Sequence, residues 1–121
     1  MGIISLDFDL EKESAGLPEG VYQFQISDAE QTESQAGNPM VKLKLAVVND
    51  PLYNGRVVFD NLVIIASMAR RLKSFGAAAG MDVSMGVDVE AMHGKVVWAE
   101  VEHEEYMGEM NAKIKKYRTG R

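Results

Sequence analysis

The chain has no cysteine and two isolated histidines, His93 and His103. Disulfides and thiol chemistry are excluded, zinc sites lack their usual ligands, and a reducing cytosol suits such a composition. No stretch approaches the roughly 20 apolar residues of a membrane span. Met1-Gly2-Ile3-Ile4-Ser5 lacks the basic start and sustained apolar run of a secretory leader. A phosphate-cradling glycine pattern is missing as well, since Gly76, Gly80, Gly86 and Gly94 are scattered and read as caps. Ser5, Ser27, Ser34, Ser67, Ser74 and Ser84 have no catalytic motif around them. His103 beside Glu104 and Glu105 offers a carboxylate metal constellation, but acids at a strand end before a turn read first as solubility. His93, before Gly94, reads as solvent-facing or capping. The expectation is a non-enzyme without a cofactor or metal.

What is present suits one folded domain. At 121 residues, 46% of them hydrophobic, the chain can bury a modest core. The net charge of −5 argues against a phosphate binder in bulk, but the charge is sorted along the chain. Eight acids from Asp7 to Glu33 face a single Lys12 in the first forty residues. From Met110 onward Lys113, Lys115, Lys116, Arg118 and Arg121 stand without an acid.

Pro39 to Ile65 organises the rest. Val41, Leu43, Leu45 and Val47 alternate with Met40, Lys42, Lys44 and Ala46, the period of a half-buried strand. Asn54-Gly55 marks a turn. Beyond it Val57, Phe59, Asn61 and Val63 share one face, and Arg56, Val58, Asp60, Leu62 and Ile64 the other. Before this pair, Tyr22, Phe24 and Ile26 define a strand over residues 20–29, and the polar stretch 30–38 reads as a flexible loop. After it, Ser67 is a candidate N-cap for a helix carrying Met68, Leu72, Phe75 and Ala79 on its apolar face, with Gly80 closing it. Arg70, Arg71 and Lys73 read as the solvated face of that helix. A weaker helical turn is expected over 87–93. Alternation returns over 95–103, a tight turn centres on Gly108, and the last strand spans 112–117 with Lys113, Lys115 and Tyr117 on one face.

The order β-β-β-α-β-β predicts a mainly β domain, a five-stranded OB-fold barrel plugged by one amphipathic helix. A five-stranded antiparallel sheet with a helix on one face is the alternative. Residues 1–19 read as an acidic arm, 20–117 as the domain and 118–121 as a short basic tail.

Several punctuation points carry a resemblance. They are Gly20-Val21-Tyr22, residues 34–40 (SQAGNPM), Gly55-Arg56, Asp60-Asn61-Leu62, Arg71-Leu72-Lys73, Ala79-Gly80 and Gly94-Lys95. To these is added Tyr106-x-Gly108-x-x-Asn111-x-x-Ile114-x-x-Tyr117. In order and spacing they resemble, over about residues 17 to 117, a family of phage and prophage proteins catalogued as a domain of unknown function. That resemblance implies an OB-fold, single-stranded DNA as partner, phage replication or recombination proteins as further partners, and the cytoplasm of a bacterial host as location. The chain departs from the pattern at Trp98, where a polar or basic residue is expected. It also has a basic end, where many replication single-strand binders finish in an acidic recruiting tail.

Single-strand binding needs cations for the backbone and rings for the bases. The candidates are Lys42, Lys44, Arg56, Phe59, Trp98, Tyr106, Lys113, Lys115 and Tyr117. Lys42, Lys44 and Arg56 read equally as phosphate contacts or as solvated side chains. Phe59 reads first as core by its parity with Val57 and Val63, and second as a stacking platform. Trp98 alternates with Glu100 and Glu102, so a base, a second subunit or the acidic arm could cover it. Tyr106 is flanked by Met107 and Met110, which adapt to a partner. Tyr117 with Lys113 and Lys115 is the favoured cluster, against a terminal strand kept soluble by lysines. The rival function is a protein-binding adaptor or recombination accessory. Self-association of the acidic arm with a neighbour's basic strand is a further route.

Overall fold

The computed structural model describes residues 17–84 and 86–120. Most of the expected acidic arm, residues 1–16, lies outside the described residues. Its last residues are not an arm. Leu17 is fully buried, Tyr22 Oη donates to Pro18 O (2.8 Å), His103 Nε2 lies 2.7 Å from Leu17 O, and His103 N–H donates to Glu19 Oε2 (2.9 Å). One apolar side chain and the backbone around it thus move the start of the packed domain ahead of residue 20.

Five antiparallel strands form one sheet in the order β3-β2-β1-β4-β5: β1 (Gly20–Glu33), β2 (Pro39–Val48), β3 (Val57–Val63), β4 (Val96–Tyr106) and β5 (Glu109–Arg118). The fold is mainly β. Where a closed barrel is expected from the element order, the hydrogen-bonded ladder stays open between β3 and β5. The two edges nevertheless approach each other, joined by side chains described below.

Strand β1 runs four residues further than its apolar pattern, pairing through Glu33 with Pro39, so the expected loop shrinks to a turn over 34–38. Ser34 N–H donates to Asn38 O and Gly37 N–H to Ser34 O within it. Polar residues continue the ladder because backbone groups, not side chains, supply its bonds. A register shift between Ile26 and Asp28 lets Ala29 rejoin the buried face after Tyr22, Phe24 and Ile26. Likewise β4 and β5 extend to a two-residue turn, Met107 (φ 53°) and Gly108 (φ 82°). Positive φ at both positions suits the right-handed twist of a hairpin.

After β3 a 3₁₀ turn, Ala66–Met68, leads into helix α1 (Ala69–Ala79). Ser67 lies inside that turn, and Met68 takes the cap position without a side-chain bond. Gly80 adopts φ 68°; its N–H bonds Ala77 O and the Met81 N–H bonds Gly76 O (2.8 Å), closing the helix as expected. Phe75 enters the core with its ring edge-on to Tyr117 (5.1 Å between centroids). A second short helix, α2 (Val89–Met92), is capped by Asp88, which accepts from Ala91 N–H, and buries Met92. Among the described residues no helix is long and apolar enough to cross a membrane.

Candidate nucleic-acid interface

The inward side chains of β2 (Val41, Leu43, Leu45 and Val47) are all buried, so Lys42 and Lys44 stand on the outer face as expected. Facing residues of a pair share a face. Leu45 pairs with Val58 and Lys44 with Phe59, so Val58 goes in and Phe59 comes out. Phe59 is 58% exposed, which corrects the expectation that its parity belongs to the core. Asn61, exposed opposite Lys42, joins the same patch although it is not among the site candidates read from the sequence. A polar residue on the strand's exposed parity carries no signal until the parity is known. Along β2 the two ammonium-bearing residues are about 6.8 Å apart. Among the described residues neither makes an ion pair.

Acids border the patch. Asp28 of β1 pairs in register with Lys44, and Glu30 with Lys42. Asp28 Oδ1 also lies 3.4 Å from His93 Nε2, to which Ala29 N–H donates (3.3 Å). Arg56 stands at the entry to β3, half-buried, with its carbonyl bound to Val47 N–H and its own N–H to Tyr53 O. It has the parity of Val58 rather than of Phe59.

Next to these rows the sheet's outer face becomes small and weakly polar: Val57, Ala46, Gln25 and Val96 lie abreast across β3, β2, β1 and β4. The following row is Val48, Gln23, Trp98 and Arg118. Trp98 is therefore outward and half-exposed, three strand spacings from β3, about 14 Å along the sheet.

The favoured terminal cluster is taken apart. A register shift between Glu100 and Val101 gives β5 one extra residue, so Lys115 and Lys116 both face outward and Tyr117 turns inward, 4% exposed. Lys113 pairs with Glu102 (3.4 Å) and Glu104 (3.6 Å), Lys115 with Glu100 (4.0 Å) and Lys116 with Glu100 (3.6 Å). The outer face of β4 and β5 is thus a ladder of opposed charges, leaving Lys113 and Lys115 matched rather than free. Tyr106 ends β4 opposite Glu109, and its side chain lies outside the described residues.

Tyr117 instead donates its hydroxyl to Asp60 Oδ2 on β3. Burial, and then the Asp60 carboxylate, push its phenol well above the ordinary tyrosine range, with Arg71 opposing. Arg71 is not the solvated side chain that its helix face suggests. It reaches Asp60 with both terminal nitrogens (3.2 and 3.0 Å) and Ile114 O with one (3.1 Å). Nothing in local periodicity signals this, because the three residues lie far apart in sequence. His103, committed to the Leu17 carbonyl, is not in a metal constellation, and no group of three metal-ligating side chains occurs among the described residues. A cleft of about 440 Å³ between α1 and the end of β5 is lined by Ser74, Ala77, Tyr117, Arg118, Thr119 and Gly120 and includes no outer-face residue of β2 or β3.

Residues 7–120 match the model of a family described as "Protein of unknown function (DUF669)". No curated protein matches the chain.

Proposed function

The chain belongs to the DUF669 family, and from that premise we propose that it binds single-stranded DNA, with little sequence preference, on the outer face of β2 and β3. One observation carries the reading: a phenylalanine more than half exposed lies directly across from Lys44 and diagonal to Lys42. A solvent-facing ring on a strand surface loses hydrophobic stabilisation unless something covers it. With two ammonium groups beside it, the fitting ligand has flat apolar faces and a regular negative charge, as a single strand does. Lys42 and Lys44 would neutralise phosphates while a base stacks on Phe59. The strand would continue over the Val57, Ala46, Gln25 and Val96 row towards Trp98 and Arg118.

The fold supports the reading. Three strands, helices α1 and α2 and then two strands, with β3 and β5 as edges that approach each other, are compatible with an OB-type barrel whose last seam side chains would bridge. In OB-folds the face of the second and third strands is a common oligonucleotide platform. In the phage or prophage setting that the sequence resembles, the protein would protect or present single strands for replication or recombination in the cytoplasm of the bacterial host.

A second reading, a protein-binding adaptor, is favoured by Asp28 and Glu30 beside the lysines and by the exposed turn residues Leu52 (77%) and Met107 (87%). Anisotropy of labelled oligo(dT), with Trp98 emission followed in the same titration, separates the two. Saturable binding reversed by salt supports single-strand recognition. No binding at low salt removes it in favour of the adaptor.

A further inference from the structure

Strand β3 carries Phe59 and is seven residues long, with a ladder on its β2 side alone. On its other side stands one side-chain assembly. Asp60, 13% exposed, points inward beside the outward Phe59, because successive strand residues alternate. Its carboxylate receives both terminal nitrogens of Arg71 from α1 and the hydroxyl of Tyr117 from β5. Arg71 also donates to Ile114 O on β5 and lies 5.5 Å from the Tyr117 ring centroid, while Phe75 packs edge-on against that ring. One carboxylate therefore ties three elements together where no backbone ladder does.

We infer that Asp60, Arg71 and Tyr117 form a latch across the gap between β3 and β5, and that by holding Asp60 inward it positions Phe59 for a base. The second half of this inference rests on the proposed binding reading; the first half does not. Paired charges with a third hydrogen bond hold a strand more rigidly than apolar contact, since the bonds are directional. A free edge held this way gives β3 a fixed face without a sixth strand pairing.

Two variants test it. Tyr117→Phe keeps the ring packed on Phe75 and removes one bond; Arg71→Met also removes the guanidinium and its contact with Ile114. Hydrogen exchange on the free protein should quicken about tenfold over residues 57–63 in Tyr117→Phe, the loss of one bond to a charged partner. The β1–β4 ladder should keep its protection. Arg71→Met should extend the effect to β5 around Ile114. Faster exchange spread evenly over the sheet, or none in Tyr117→Phe, overturns the latch.

The positioning role is read from a double-mutant cycle on oligo(dT) affinity. Phe59→Ala should cost several-fold less in the Tyr117→Phe background than in the wild type. An equal cost in both backgrounds overturns the positioning role. No cost in either overturns the binding reading instead, and the exchange data alone then decide the latch.

Discussion

Replacing Lys42 and Lys44 together by alanine gives the account its most quantitative exposure. Each ammonium that neutralises a phosphate releases condensed counterions, and for single strands the slope of log K against log[salt] changes by about 0.7 per contact. Two contacts make the variant's slope about 1.4 shallower, and between 50 and 200 mM salt the wild type should therefore lose about sevenfold more affinity than the variant. Both lysines are exposed, unpaired among the described residues and on a face whose inward partners are untouched, so stability should change by less than about 0.5 kcal/mol. Phe59→Ala is the complementary perturbation. It should cost roughly 1–3 kcal/mol of affinity through lost stacking and leave the slope unchanged. Anisotropy of a short labelled oligo(dT) at four or more salt concentrations measures both. A lysine variant with the wild-type slope, or a Phe59 variant with undiminished affinity, removes the residue concerned from the interface.

Other outcomes follow from the core and the seam. Phe75→Ala empties a fully buried site against Tyr117 and should lower stability by about 3–5 kcal/mol, read by urea denaturation. Gly76→Ala should destabilise by about 1–3 kcal/mol rather than gain helix propensity, because a new Cβ would stand 2.9 Å from the Met81 carbonyl oxygen and 3.1 Å from both Val83 methyl carbons. The Tyr117 phenol holds its proton more tightly folded than unfolded, so its contribution to stability is complete below about pH 10 and is lost as the pH climbs from there towards the raised folded value. Tyr117→Phe should therefore show a smaller fall in urea midpoint than the wild type above about pH 10, with the residual fall shared by Tyr22, whose phenol burial also shifts upward.

Legibility varied with how unequal the two faces of each strand were. Strand β2 was readable because valine and leucine alternate with lysine, and every inward residue is buried. In β3 both parities carry large apolar groups, so only the pairing of Lys44 with Phe59 decides which face is wet. A single extra residue in β5 turned Tyr117 from the lysine face into the core, and no sequence pattern announces such a shift. Ser67 had the chemistry of a cap but not its place, because a 3₁₀ turn carried the chain past it. Gly80 was placed correctly, since a positive φ after an alanine-rich turn has few alternatives. The Asp60–Arg71–Tyr117 assembly depends on topology alone and was invisible. Lys113 and Lys115 look free in a run without acids, yet their carboxylates wait on the neighbouring strand.

Amide chemical shifts of the labelled protein, followed while oligo(dT) is added at low salt, map the contact directly. The account predicts shifts concentrated at Lys42, Lys44, Phe59 and Asn61 and trailing towards Trp98. Shifts confined to the matched charges of β4 and β5 or to the outer side of α1, or a spectrum that oligo(dT) leaves unmoved, would contradict it.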